Sequence, residues 1–446
     1  MEEQGNFKRT LGLFSSVSIL AGIIIGTGIF LSTKYVFLNI GENPNLALLV
    51  WLIGGLLSLF AGLCYAELGA AIPKAGGAYV YIHKAFGPYL AFLSGISKFL
   101  VSYPGTIAGI AIGFAGFLGA FMPAGYGEWS QKIVAIIAII ILSYVNYRGV
   151  KLGAIIQNLT LVGKLLPLIV IILGGAFLFI THDASTTSAM ATNTHAPLTF
   201  GALTAAIISS LWAYEGWNNL NNVAEEIKNP KKNLPLAIIL SLGLVIVVYV
   251  AYNWVMFSNI TLDQVINSAN PAADTFSAIF GSRFSVLVTV GILISMLGAL
   301  NGSILVFPRY YYAMAEDKLF FPSIAEIDPK TGTPSKAILW SALISIAFVL
   351  IGNFGTLSTM VVFMSWVFNA LTIVSLFVFR KTDPDMERPY KVIGYPVIPI
   401  LVIVAIGLIL FASLRDDALL SIIGIILTFG VGTPLYMWFK SKNQEA

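Results

Sequence analysis

Charge is what this chain most conspicuously lacks. Only 10% of its 446 residues are Asp, Glu, Lys or Arg, against about 25% in soluble domains. Hydrophobic residues make up 57%, and mean hydropathy is +0.87. A single water-filled surface around one core could not hide that much apolar area, which argues against a soluble protein. Cysteine is nearly absent. Cys64 stands alone in an apolar run, so no disulfide can close within the chain and no Cys/His metal cluster exists. The three histidines, His83, His182 and His195, fall in loops, where plain solvation is the expectation. No Ser/His/Asp set, HExxH motif or phosphate loop is present, so neither an enzyme nor a metal or cofactor site is expected. The net charge of +4 is small and scattered over loops, not gathered into the dense basic face that nucleic acid requires.

Long apolar runs are what the chain has instead. A helix crosses the bilayer core with about 20 apolar residues, and twelve candidates are legible: 11–37, 46–72, 86–120, 130–149, 152–181, 200–226, 234–258, 281–313, 336–352, 357–379, 395–413 and 418–440. The ninth is short and the third long. "MEEQGNFKRTLG" carries no small-residue cleavage site, and the first run is too long for a signal peptide, so it is expected to remain as a membrane anchor. Basic residues test the count, because cytoplasmic loops are rich in Lys and Arg. With the spans alternating, nineteen of the 25 Lys and Arg residues share the side of both termini. Lys34, Lys132, Arg283 and Arg415 lie on the other side, and Lys98 and Lys164 lie within spans. The asymmetry predicts a multi-pass cell-membrane protein with both termini, 1–10 and 441–446, in the cytoplasm. Residues 182–197 hold no Lys or Arg and read as an outer loop.

Two spans are interrupted. "SILAGIIIGTGIF" (Ser18–Phe30) puts Gly26-Thr27-Gly28 in the middle of the first helix, and "SLWAYEGWNNLN" (Ser210–Asn221) puts Glu215-Gly216 at membrane depth in the sixth. Irregular backbone survives at that depth only where it lines a cavity or is buried in protein. Small residues also serve plain helix packing. Matching breaks in the first helix of each of two five-helix halves, however, point to a transporter's binding site. An unwound helix offers N–H groups to an anion on one side of the break and C=O groups to a cation on the other. An amino acid carries a carboxylate and an ammonium on one carbon, so two such breaks can hold both, with Thr27 adding a hydroxyl.

These stretches resemble the L-type amino acid transporters of the amino acid–polyamine–organocation superfamily. The resemblance runs from "AGIIIGTGIF" and "LWAYEGWNNLNNVAEEIKNPKKNLPLAII" through "ELGAAIPKAGGAYVYIHKAFG", "LGALNGSILVFPRYYYAMAEDKLFF" and "RPYKVIGYPVIPIL", and covers most of the chain. It implies an all-α, twelve-helix fold. Residues 11–181 and 200–379 would form inverted five-helix repeats, 182–199 the outer loop between them, 380–394 a cytoplasmic loop and 395–440 the last two helices. It also implies sodium-independent exchange of L-amino acids by a microbial member similar to serine/threonine or alanine-serine-cysteine exchangers. By the same resemblance, Gly26, Thr27 and Gly28 hold the substrate carboxylate and the carbonyls of Ile24, Trp212 and Glu215 hold the amine. Trp212 gates the site, and Ala213 and Asn218 lie beside it. Animal members bind a single-span subunit through a cysteine between helices 3 and 4; the loop here has none, so no disulfide-linked subunit is expected.

Ionisable groups inside a membrane are costly and usually functional. Lys164 matches the family's helix 5 lysine, which resembles a built-in substitute for sodium. It is expected to bridge helix 5 to the helix 1 break and to helix 8, with Ser303 as the candidate partner; snorkelling to the cytoplasmic face is the plainer reading. Three readings of Glu215 stay open. It pairs with a cationic substrate side chain, hydrogen-bonds within the break, or carries a proton. Lys98 either snorkels or faces the cavity. Glu67, Glu225 and Glu226 are read as loop salt bridges or helix-end residues, and Trp212 and Trp217 as interface anchors or site residues. A channel would repeat a filter motif around an axis, and none is seen. The function expected is exchange of neutral L-amino acids. Proton-coupled symport, or exchange that accepts cationic amino acids through Glu215, is the alternative.

Overall fold

The computed structural model describes residues 7–123, 125–181, 188–191, 198–268, 270–282, 285–352, 354–416 and 418–445. His182, His195 and Arg283 lie outside the described residues, as does most of the predicted outer loop. The described chain is almost wholly helical. Its β pairing is one isolated bridge, Leu11 to Ile227.

Helix fills each of the twelve predicted segments. α1 (Leu13–Ile24) and α2 (Gly28–Asn39) form the first and meet at a 43° bend. α3 (Pro44–Ala71) is opened by Asn43, whose side chain accepts the Leu46 N–H, and by proline in its first turn. A short helix, α4 (Ala78–Phe86), precedes the third span, in which α5 (Pro88–Ser97) runs through a π-helical turn at Lys98–Ser102 into α6 (Tyr103–Leu118). α7 (Glu128–Tyr147) and α8 (Val150–Thr181) complete the first half. The sixth span is α9 (Phe200–Tyr214), a break, and a 3-10 segment, Asn219–Glu226. α10 (Pro230–Asn259) follows, then two short helices, α11 (Leu262–Asn267) and α12 (Pro271–Phe280). The eighth to tenth spans are α13 (Ser285–Val306) with α14 (Pro308–Glu316), α15 (Ser335–Ile351) and α16 (Phe354–Thr382). α17 (Val397–Asp416) is the eleventh, and α18 (Ala418–Ile425) with α19 (Gly432–Glu445) the twelfth. Among the described residues nine helices are long and apolar enough to cross a membrane, and the bent pair makes ten. The other two are α15, with 17 residues, and α9, with 15.

α8 shows how the pattern chooses its faces. Leu159, Val162, Leu166 and Leu173 are each more than half exposed, an apolar stripe suited to lipid. Gln157, Leu161, Lys164, Leu168 and Ile171 form the buried stripe. Lys164 thus sits on the inward face by helical periodicity. Packing partners occur in pairs that exchange when the first five spans are set against the second five. α1 packs on α10 and α9 on α3; α13 packs on α8 and α6 on α16; α6 packs on α15 and α13 on α7. Each of these contacts thus recurs with the two sets of five spans interchanged.

Amide side chains bind the bundle together. Asn146 of α7 donates to Asn301 of α13 (2.9 Å), Asn301 donates to Gln157 of α8 (3.0 Å), and Gln157 donates to the Ser18 carbonyl of α1 (3.3 Å). The Lys/Arg-rich face is held by the acidic residues read as helix-end groups. Arg380 donates to both oxygens of Glu67 at 2.9 and 2.6 Å, and the Val392 N–H adds a third bond at 2.7 Å. Arg309 donates to Glu226 at 2.9 Å with both side chains buried. Glu225 accepts the N–H groups of Phe7 and Ala75, pinning the start of the described chain to the α3–α4 loop. His83 is not simply solvated; its Nδ1 lies 2.8 Å from Asp317. Half-burial raises the Asp317 carboxyl, but the contact with His83 and the nearby positive charges outweigh it and hold the carboxyl below its usual range.

Candidate functional site

The first break begins where α1 runs out. Ile25 leaves the helix with ψ 88°, and its N–H still reaches the Ala21 carbonyl at 2.8 Å. Thr27 then caps α2. The N–H groups of Thr27, Gly28 and Ile29 open α2 and so have no helical carbonyl behind them. At the second break Glu215 is extended (φ −60°, ψ 142°) and Gly216 takes φ +113°. A side chain at Gly216 would be strained by that φ, and its Cβ would also lie 2.7 Å from Ile23 Cγ2.

A narrow cavity lies between the breaks. Ile24, Gly26, Thr27, Gly28, Trp212 and Glu215, all named from the sequence, line it. Its far side comes from residues the sequence reading missed: Tyr103 and Thr106 of α6, Phe307 beside α14, Ser365 of α16 and Asn219. Tyr103 and Phe307 stack with ring centroids 3.8 Å apart and planes 7° from parallel. Asn222 donates to the Tyr103 hydroxyl at 2.8 Å, and the Asn222 carbonyl accepts the Gly76 N–H. Through Asn222 the stack is tied to Gly76, in the loop between α3 and α4. Trp212, in the last turn of α9, lines the cavity as well.

Ala213, Asn218 and Ser303, named from the sequence as site residues, and Trp217, read as an interface anchor or site residue, lie outside the cavity lining. Ala213 is outside the cavity; its backbone packs against Gly28, where an added Cβ would come within 2.3 Å of the Ala213 Cα. Gly28 therefore serves close helix packing as well as the break. Asn218 is turned away by the Gly216 turn and donates to Asn369 of α16 at 2.8 Å, leaving Asn219 at the cavity. Trp217 is buried between Tyr65 and Trp366. Ser303 is buried, but its hydroxyl has no partner in the structure and it does not meet Lys164.

Lys164 meets Ser295 instead, about two turns earlier in α13. Its Nζ donates to the carbonyls of Gly22 (2.8 Å), Ile25 (2.6 Å) and Ser295 (3.0 Å), and the Ser295 hydroxyl also donates to Ile25 (3.0 Å). The ammonium has as many donors as it has carbonyl partners, and it does not snorkel. Nor does Lys98, which is 2% exposed. Its Nζ donates to the Ser365 hydroxyl at 3.2 Å and lies 5.0 Å from the Tyr103 ring centroid. Carbonyls remain at the α1 and α9 ends for a ligand cation. Ile24 O accepts one bond, from the Tyr249 hydroxyl (2.9 Å), which leaves its second lone pair.

The family model for amino acid permeases matches residues 11–439, nearly the whole chain. The chain belongs to the amino acid permease family. Relatives match over most of their own length. The serine/threonine exchanger SteT of Bacillus subtilis is 32% identical over 444 residues, covering 99% of each chain. The human b(0,+)-type amino acid transporter 1 is 34% identical over 402 residues, 89% of this chain and 80% of its own. The human cystine/glutamate transporter is 31% identical over 440 residues, 98% of this chain and 86% of its own. The permease is therefore an amino acid transporter of the membrane rather than an enzyme.

The missed residues left partial signals. Lys98 and Glu215 are opposite charges at membrane depth, and two such charges in one chain are themselves grounds to look for a pair. The "SYPGT" of the third span and "VFPRYYY" of the eighth each place an aromatic residue beside a proline, but only the fold brings Tyr103 to Phe307.

Proposed function

We propose that this permease exchanges neutral L-amino acids across the cell membrane without sodium, by alternating access around the cavity between the two helix breaks. The N–H groups of Thr27, Gly28 and Ile29, with the Thr27 hydroxyl, receive the substrate carboxylate. The carbonyls of Ile24, Trp212 and Glu215 receive its ammonium. Trp212 covers the substrate on one side and the Tyr103–Phe307 stack on the other. Residues 11–181 and 200–379 are the two inverted repeats that rock around the site, and both termini are cytoplasmic, in line with the basic residues gathered there.

The observation that carries the reading is the Lys164 ammonium among the Gly22, Ile25 and Ser295 carbonyls. A tethered cation there does the cross-linking that a bound sodium ion would do, so no sodium gradient is needed. Exchange is the mode named for the full-length serine/threonine relative. The protein works without a disulfide-linked subunit, since its one cysteine, Cys64, is buried in α3.

A second reading, proton symport, is favoured by one observation: Oε2 of Glu215 is buried at the cavity without a hydrogen-bond partner. Proteoliposomes in sodium-free buffer separate the two. Uptake of labelled serine, alanine or leucine that rises when the lumen holds the same amino acid, with no pH gradient, supports exchange. Uptake seen only under an imposed pH gradient makes the protein a symporter.

A further inference from the structure

Glu215 is the one carboxylate among the residues that line the cavity, and its charge does not stand alone. Ser365 of α16 lines the same cavity. Behind Ser365, outside the lining, is Lys98, whose Nζ donates to the Ser365 hydroxyl at 3.2 Å and whose charge acts on Glu215. The π-helical turn at Lys98–Ser102 starts at this lysine, and such turns inside a helix are frequent at functional sites. Spans 3, 10 and 6 thus bring a lysine, a serine and a glutamate to one cavity, where only the serine and the glutamate are in the lining.

We propose that Lys98 sets the charge selectivity of the site: it neutralises Glu215 from behind and so excludes amino acids with cationic side chains. This rests on the amino acid site proposed above. A buried charge left without a partner is strongly unfavourable, whereas a hydrogen-bonded pair is tolerated. A zwitterion with a neutral side chain adds no net charge, so it leaves the Lys98–Glu215 balance intact. A lysine or arginine side chain brings an extra positive charge beside a carboxylate that is already compensated. Without Lys98, the carboxylate needs a cation that only the substrate can supply. Without Glu215, the uncompensated Lys98 draws an acidic side chain across Ser365. Without both, the site is neutral again. Specificity here is a difference between substrates set as much by repulsion as by attraction.

The test compares the full-length wild type with Lys98→Met, Glu215→Gln and the double variant. Two readouts are taken: counterflow of labelled L-lysine against labelled L-serine in proteoliposomes, and thermal stabilisation of the purified protein by each amino acid. In Lys98→Met the lysine-to-serine ratio rises about tenfold or more in either readout, and in the double variant it falls back toward wild type. Should Lys98→Met not purify, Ser365→Ala, which cuts the bridge and keeps both charges, gives a smaller rise in the same direction. An unchanged ratio in the folded single variant, or a rise that persists in the double variant, overturns the proposal. Wild type that shows no serine counterflow, yet whose variants shift their preference in stabilisation, would instead strike the exchange reading and leave the charge assignment standing.

Discussion

Lys164 Nζ donates to the carbonyl of Ile25 at 2.6 Å, joining the middle of α8 to the last turn of α1 just before the chain unwinds. The same ammonium holds Gly22 and Ser295, so the C-terminal end of α1 is closed by a cation the protein carries itself. Replacing Lys164 with Met strips the ammonium from three buried carbonyls, of which Ile25 alone keeps a side-chain donor, Ser295. Each unsatisfied buried acceptor costs about 1–3 kcal/mol. The expected result is a lower melting temperature in detergent and exchange reduced by more than about tenfold. A variant with wild-type melting temperature and transport would remove Lys164 from the account.

The glycines at the breaks predict a graded series. Gly28→Ala forces a Cβ to 2.3 Å from the Ala213 Cα, which is backbone and cannot swing away. Gly216→Ala adds strain at φ +113° to a close contact with Ile23. Both are expected to lose about 1–3 kcal/mol by overpacking and to lose transport with it. Gly116→Ala in α6 meets nothing within 4 Å, and the higher helix propensity of alanine should leave stability equal or better. Thermal melts of the three variants check the order.

Two tryptophans five residues apart should part company. Trp212 lines the cavity, whereas Trp217 is fully buried between Tyr65 and Trp366. Trp217→Ala is expected to destabilise the fold by about 3–5 kcal/mol. Trp212→Ala should change substrate affinity and exchange rate more than melting temperature. Melts and counterflow on both variants decide it, and the reverse pattern would misplace the gate.

Ion pairs on the Lys/Arg-rich face should differ by burial. The Arg309–Glu226 pair is 1% and 2% exposed, and the Lys231–Glu387 pair 50% and 71%. Glu226→Gln leaves a buried guanidinium short of its counter-charge, at a cost of about 3–5 kcal/mol. Glu387→Gln should cost less than about 1 kcal/mol.

Asp317 supplies a pH signature. Its carboxyl is held below the ordinary value of 3.8, so the folded state binds the proton less well than the unfolded chain does. Stability from this group is fully present above that value and is lost as pH falls through the lowered one. Partial exposure keeps the effect under about 1 kcal/mol. The melting-temperature gap between wild type and Asp317→Asn should be present near neutral pH and narrow as the buffer approaches about pH 3; a gap that widens toward acid would contradict the sign.

The sequence made the spans and both breaks legible because each is a local signal. Apolar runs declare the bilayer, and Gly26-Thr27-Gly28 and Glu215-Gly216 declare weak helix where weakness is expensive. Lys164 on the inward stripe of α8 is also local, since helical periodicity fixes its face. Its partner was not legible. Ser295 and Ser303 lie in the same helix, and only the relative depth of α8 and α13 chooses between them. Asn218 and Asn219 are neighbours in sequence, and the turn at Gly216 decides which one faces the cavity. Lys98, Ser365 and Glu215 come from three distant spans, so nothing short of the fold could bring them to one cavity.

The most direct test is an experimental structure of the permease with its best counterflow substrate bound. The account predicts the substrate's carboxylate within hydrogen-bond reach of the N–H groups of Thr27, Gly28 and Ile29, and its ammonium at the carbonyls of Ile24, Trp212 or Glu215. Substrate bound away from both helix breaks, or with its carboxylate turned toward Lys98, would contradict it.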